Sequence, residues 1–383
     1  MHNAQAMPPE PIDLDAQATT PLAPEALAAM LPYLEGRHWN PHSAHRGGRI
    51  ARAALEAARS EVAALLGEAP EGLIFTSGAT EANNLALKGV FESARRSRFV
   101  TFATEHSCVL ESARHLERRG TVVTILPVRS DGLPDLDVYD QALGPDVALV
   151  SAMRINNEIG SIWPTARLAE IAHAHGALFH TDAAQAFGKI DCTGLGADLV
   201  SLSAHKMHGP KGIGALWVRP GVRLAPQQDG GGQESGLRSG TQAPALAAGF
   251  GAAARRARAH MAADEAYVRA LQARVLDALA TVPHHINGPD PLGPHRWPGN
   301  LSVTLPGVDS NRLIASLPGL ALSSGSACSS GANRPSHVLS AIGIAPAHMR
   351  QTLRLGWNHS MKAPMLDEAL AQLAAAAGRF KAA

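Results

Sequence analysis

Leu199-Val200-Ser201-Leu202-Ser203-Ala204-His205-Lys206-Met207-His208-Gly209-Pro210-Lys211-Gly212 decides how the chain is read. Its first five residues are a short run of apolar and small hydroxyl side chains, the pattern of a strand covered on both faces. A lysine follows just past the strand's end, then a Gly/Pro turn. The neighbouring sequence repeats the theme. Residues 72–76, 99–103, 121–126, 147–153, 177–182 and 213–218 read as further strands, with helices at 81–93, 109–119 and 165–175 between them. Such alternation predicts an α/β fold, a mostly parallel sheet flanked by helices. Ligands of such sheets bind at the carboxyl ends of the strands.

Beyond a Gly-rich stretch at 229–241, the Ala/Arg-rich segment 243–282 reads as a long helix with little β-branching. Residues 283–299, rich in Pro, Gly and His, read as a connector. Strand-like 301–305 and 321–323 then mix with helices, the last near 366–380, as in a smaller α+β domain. The expected division is 20–255 for the large domain, and 1–19 with 256–383 for the small one. The 383 residues are 45% hydrophobic and 17% charged, with 34 basic and 33 acidic side chains. That balance gives no electrostatic reason to expect nucleic acid or an anionic membrane as partner. Apolar runs are too interrupted to span a bilayer. Cys108, Cys192 and Cys328 are too few and scattered for a disulfide framework or a four-ligand zinc site, so no metal is expected. The first eleven residues do not read as a signal or transit peptide, and a cytoplasmic location is expected.

Three strand ends carry chemistry. Thr76-Ser77-Gly78-Ala79-Thr80-Glu81 opens a helix after a strand, where small residues let backbone N–H groups approach an anion. It also reads as a capped strand-to-helix turn. Asp182, at the end of Phe179-His180-Thr181-Asp182, offers a carboxylate that could keep a pyridinium nitrogen protonated, or simply cap the next helix. Lys206 could form a Schiff base, its amine made nucleophilic by partial desolvation, although most lysines are solvated surface charges. An anion turn, a carboxylate and a lysine in this order, each at a strand end, together point to pyridoxal 5'-phosphate.

At this point the sequence resembles a family. The cysteine desulfurases of the class V aminotransferase group, fold-type I pyridoxal-phosphate enzymes, share Asn40-Pro41-His42-Ser43-Ala44-His45, Thr104-Glu105-His106, Asn156-Asn157-Glu158-Ile159-Gly160, Ser203–Lys206, Gly230-Gly231-Gly232-Gln233-Glu234, Arg238-Ser239-Gly240-Thr241 and Ser323-Ser324-Gly325-Ser326-Ala327-Cys328 with this chain. The resemblance begins at Leu14-Asp15-Ala16-Gln17-Ala18-Thr19-Thr20-Pro21 and reaches about Trp357. It implies that Lys206 carries the cofactor, and that Ala79, Thr80, Ser203 and His205 hold its phosphate with Thr241 reaching in from a second subunit. It also implies that Asp182 pairs with the pyridine nitrogen, that Asn157 and Gln185 contact the ring hydroxyl side, and that His106 stacks on the ring and moves protons. Gln17, Arg154, Asp229 and Ser235 depart from the common pattern without removing a group the chemistry needs.

The substrate's α-carboxylate calls for an arginine fork. Arg354 is the first choice, with Arg350 open because this segment is shorter than usual, and Asn40 assisting. Cys328 sits among small and polar residues, a setting for an exposed, reactive thiol. Cys108 reads as a packing residue after His106, and Cys192 as a loop residue. The resemblance implies that sulfur leaves L-cysteine as a persulfide on Cys328, that L-alanine is released, and that the sulfur passes to an acceptor protein or thiol. It implies a homodimer as well. The resemblance leaves the pathway served open among iron–sulfur cluster assembly, tRNA thiolation and DNA sulfur modification. Because the chain stops soon after Phe380, the acceptor is expected to dock elsewhere than on an extended C-terminal tail. Selenocysteine lyase or another class V aminotransferase or lyase is the alternative, and a non-catalytic partner protein of the same fold a remote one.

Overall fold

The computed structural model describes residues 10–93, 96–324 and 335–382, so the proposed nucleophile Cys328 lies outside the described residues. In chain order come β1 (Ile12–Asp13), α1 (Pro24–Glu35), α2 (Arg46–Leu66), β2 (Leu73–Thr76), α3 (Ala79–Ser93), β3 (Arg98–Phe102), α4 (Ser107–Arg118), β4 (Val122–Leu126), α5 (Leu136–Gln141), β5 (Val147–Ser151), α6 (Thr165–Ala174), β6 (Leu178–Asp182), β7 (Leu199–Ser203), β8 (Gly214–Val218) and α7 (Pro244–Leu279). They are followed by β9 (His285–Asn287), β10 (Asn300–Thr304), α8 (Ser310–Ala315), β11 (Leu320–Ala321), α9 (His337–Ala341), α10 (Pro346–Met349), β12 (Thr352–Gly356) and α11 (Ala363–Ala382).

The chain divides into two compact units, 19–157 with 161–263, and 1–18 with 158–160 and 264–383. The cut expected after residue 255 falls inside α7, a continuous helix in which composition marks no boundary.

The larger unit is built on one sheet with strand order β2-β8-β7-β6-β5-β3-β4. Strands β4, β3, β5, β6 and β7 run parallel, while β8 is antiparallel to both β7 and β2. Every residue of β5, β7 and β8 is buried, as continuous apolar runs in a covered sheet should be. Helix α3 turns Ala82, Leu85, Ala86 and Val90 onto Ile74, Leu149, Leu199 and Leu216. This helical spacing makes one apolar stripe, and each fully buried Leu or Val contributes roughly 1.5–3 kcal/mol. The stripe holds α3 along its length against the covered face of the sheet.

The smaller unit holds a three-stranded antiparallel sheet, β12-β10-β9, and the short parallel pair β1-β11. Its stretch 283–299 is more than a connector. It forms β9, and Arg296, 1% exposed, donates from Nε to the Pro289 carbonyl at 2.8 Å and from Nη2 to the Asn287 carbonyl. The arginine satisfies backbone acceptors that would otherwise be buried without partners.

Candidate active site

The lysine turn comes first. Strand β7 ends at Ser203 and passes into a single tight turn, Ala204–Lys206, leaving Lys206 half-buried. Thr20 braces this turn from the N-terminal side. Its N–H and Oγ1 both donate to the His205 carbonyl, at 3.0 and 2.9 Å, and its Oγ1 accepts from the His208 N–H at 2.8 Å. His208 has φ 64°, a left-handed conformation uncommon for a side-chain-bearing residue. Its ring Nδ1 is held by the Pro21 carbonyl at 3.0 Å. The Thr19-Thr20-Pro21 motif is thus a clamp on the lysine loop. His205 Nδ1 lies 3.1 Å from Thr19 Oγ1. Burial, with Lys206, Lys211 and Lys189 nearby, pushes the His205 imidazole down to about 4, so it is neutral at neutral pH.

Asp182 ends β6 directly beside Ser201 of β7. It is 7% exposed; Oδ1 accepts from the Ala184 N–H at 2.9 Å and Oδ2 from Asn83 Nδ2 at 2.7 Å. The first bond is the capping turn expected of an Asp after a strand; the second is not, and it orients the carboxylate. A carboxylate has about four acceptor positions, so two bonds leave capacity for a protonated ring nitrogen. Gln185, also buried, accepts from Lys189 Nζ at 2.9 Å.

The anion turn lies across β8. Thr76, Gly214 and Ser203 are register partners in β2, β8 and β7. A Cβ on Gly214 would run into the Leu202 carbonyl and come within 2.7 Å of Gly78 Cα, so only glycine lets the turn approach the strand this closely. Glu81, in the first turn of α3, accepts from the Ser77 N–H at 2.8 Å and from Arg238 Nε at 2.8 Å. Burial would raise its carboxyl; the bonds from Arg238 and Ser77 bring it below the usual range. Arg238 belongs to the Gly-rich loop, whose Glu234 is buried and takes the Arg59 fork at 2.8 and 3.1 Å and the Phe75 N–H at 2.9 Å. Thr241, at the end of that loop, is exposed, as is Thr80, whereas Ala79 is half-buried.

These residues fit a phosphorylated pyridine cofactor. Ser203 Oγ is buried with no hydrogen-bond partner among the described residues, and the N-terminus of the fifteen-residue helix α3 opens behind the neighbouring turn. Together they form a hydroxyl and backbone cradle for a phosphate. Asp182 supplies the buried acceptor on the other side of β7.

His106 is half-buried and caps α4, its Nδ1 accepting from the Cys108 N–H at 3.2 Å. Asn157 is half-buried beside Asn156, which donates to the Thr104 carbonyl at 2.9 Å. Sequence reasoning passed over Glu105. It is fully buried, accepts from the Met153 N–H at 2.6 Å, and has its carboxyl raised well above the usual range by burial and by Asp182. Asn83 was missed too. Its signal was a polar residue within the apolar stripe of α3. Cys192 is inert, its buried thiol pushed up to about 12.

In the smaller unit, Arg354 lies on β12 at 2% exposure, with Nη2 2.7 Å from Asp15 Oδ1. Its N–H donates at 2.7 Å to the carbonyl of Ser323, which opens the motif ending in Cys328. Arg350 is exposed after α10. Asn40, in the larger unit, is exposed and accepts from the His42 N–H at 2.9 Å, which is a local turn.

The family model described as "Aminotransferase class-V" matches residues 12–363. Cysteine desulfurase, mitochondrial, of Arthroderma benhamiae is 46% identical over 355 residues, covering 90% of this chain and 70% of that protein. The protein of the same name from Saccharomyces cerevisiae is also 46% identical over 355 residues, covering 90% and 71%. The chain belongs to the cysteine desulfurase family. It is therefore a pyridoxal 5'-phosphate-dependent enzyme of fold type I. Among solved structures, a "NIFS-LIKE PROTEIN" superposes with a TM-score of 0.89 at 32% identity, covering 95% of this chain and 98% of that one. "SspA in complex with cysteine" gives 0.81 at 36%, covering 90% and 97%. The relatives correct one expectation. A cytoplasmic location does not stand, because the similar desulfurases of A. benhamiae, S. cerevisiae and Drosophila melanogaster are named mitochondrial. Compartment is set by an address segment rather than by fold chemistry, so the site carries no information about it.

Proposed function

We propose that this desulfurase takes sulfur from L-cysteine, releases L-alanine, and holds the sulfur as a persulfide on Cys328 for an acceptor protein. The observation that carries the reading is the meeting of Asp182, Ser203 and Lys206 at the ends of adjacent strands β6 and β7, where the orphaned Ser203 hydroxyl and the oriented Asp182 carboxylate match the two ends of the cofactor.

The residue roles follow. Ser203, His205, Ala79 and Thr80 hold the phosphate, and Asp182 keeps the ring nitrogen protonated. Asn157 and Gln185 meet the ring hydroxyl side. When bound, the cofactor supplies an electron sink for the pair left at the substrate's Cα. Lys206 anchors it, then removes the Cα proton as general base. His106 covers the ring and moves protons at the leaving sulfur. Arg354 takes the α-carboxylate as a bidentate partner, in preference to the exposed Arg350, with Asn40 assisting. The Cys328 thiolate bonds to the substrate sulfur as the Cβ–S bond breaks. The electron pair stays on the carbon side, and proton return gives alanine. Cysteine and a thiol become alanine and a persulfide, with no external oxidant or reductant. Two copies pair so that Thr241 of one completes the phosphate site of the other, a reading supported by the exposure of Thr241 on its own protomer.

The test is alanine release from L-cysteine by the loaded protein, with L-selenocysteine in parallel. Alanine from cysteine, lost in Lys206→Ala, supports the reading. Turnover of selenocysteine alone would replace it with the selenium-specific activity.

A further inference from the structure

Cys108 does more than pack. Its Sγ lies 3.0 Å from His106 Nδ1 and 3.1 Å from Asn83 Nδ2. The same Asn83 amide nitrogen donates to Asp182 Oδ2 at 2.7 Å. Four side chains from β6, α3 and the start of α4 thus form one hydrogen-bonded chain joining the two residues assigned to opposite parts of the cofactor ring.

The direction of each bond is fixed by donor and acceptor counting. Asp182 is an acceptor, so the Asn83 nitrogen faces it and spends one proton there and the other on the Cys108 sulfur. Asn83 is fully buried, and no solvent replaces either bond. With its lone pair engaged, the thiol turns its S–H toward His106 Nδ1. The Cys108 backbone N–H converges on the same ring nitrogen at 3.2 Å. Two donors aimed at Nδ1 leave no place for a proton on it, so the imidazole proton sits on Nε2.

We infer that Cys108 and Asn83 are positioning residues that lock His106 in its Nε2–H tautomer and couple it to the Asp182 carboxylate. The inference rests on the cofactor roles proposed for His106 and Asp182. Lysine and charged neighbours belong to the same environment: Glu105 precedes His106 and also senses Asp182, His180 lies two residues before Asp182 on β6, and Lys206 follows β7. None of them replaces the thiol, because His180 is engaged by Ser151 Oγ and Ser201 Oγ at 2.8 and 3.0 Å, and Glu105 by Met153.

Two measurements on the full-length, cofactor-loaded protein test this. Nitrogen-15 spectra of the imidazoles, with His106→Gln to assign the signal, should show the proton on Nε2 of His106; a proton on Nδ1 overturns the inference. The pH midpoint of the bound cofactor's absorbance should move by roughly half to one pH unit in Cys108→Ala, the worth of about one hydrogen bond. Cys108→Ser, which keeps a donor and an acceptor, should restore it at unchanged melting temperature. An unmoved midpoint in the alanine variant, or equal shifts in both variants, reduces Cys108 to packing. Alanine release by the unmutated protein is followed separately. Its absence would remove the desulfurase reading and leave the tautomer result standing.

Discussion

At the residue scale the larger unit gathers buried polar groups whose protonation the fold dictates. His180, fully buried between two serines, is pushed down to about 4 from 6.5 by desolvation. The folded protein keeps it neutral while the unfolded chain takes up a proton below about 6.5. The stability from this group is present at neutral pH and lost as pH falls from 6.5 toward 4. Glu105 runs the other way: its raised carboxyl contributes fully below 4.5 and loses that contribution as pH rises. Between pH 7 and pH 5 the His180 loss is about 2 kcal/mol. His180→Asn should therefore shrink the difference in urea stability between those two pH values by about that amount, and an unchanged difference would place the acid sensitivity elsewhere. Lys206, Asp182 and the small-residue turn were legible in the sequence because each stands where a recognisable strand ends. Asn83 and Glu105 were not, because burial turns an ordinary polar side chain into a site component, and burial is a property of the assembled sheet.

At the element scale the strands of the large sheet were readable to within a residue or two, since short apolar runs between Gly, Pro and charged residues leave little choice. Helix α1 was not. It carries Pro32 inside it and leaves Leu27, Leu31 and Leu34 exposed, so its apolar stripe does not announce a core-facing helix. Strand β12 was hidden by Arg354, a charge in the middle of a buried run whose cost is offset by Asp15. The closest engineering at this scale is between β8 and the anion turn. Gly214→Ala should push Gly78 away and weaken cofactor affinity by roughly tenfold or more, the usual cost of overpacking. Absorbance titration of the stripped protein with pyridoxal 5'-phosphate would show it. Wild-type affinity in that variant would mean the turn is not part of the phosphate cradle.

At the scale of the whole molecule, the proposed reaction draws on two copies of the chain. Thr241→Ala should speed cofactor loss on dialysis while leaving the urea stability of the protomer within about 0.5 kcal/mol, as expected for an exposed side chain. Retention equal to wild type would take away the case for a shared phosphate site. In the sequence the change from strand–helix alternation to a long helix suggests two domains, and no residue pattern within α7 (Pro244–Leu279) marks where one unit gives way to the next at 263/264.

The central claim is that sulfur from L-cysteine comes to rest on Cys328. The most direct measurement is mass spectrometry of the loaded protein after brief exposure to L-cysteine, with peptides mapped and Cys328→Ala treated alongside. One added sulfur on the Cys328 peptide, with alanine formed in step and both lost in the variant, is the predicted result. Sulfur on Cys108 or Cys192 instead, or alanine formed undiminished by Cys328→Ala, would contradict the account.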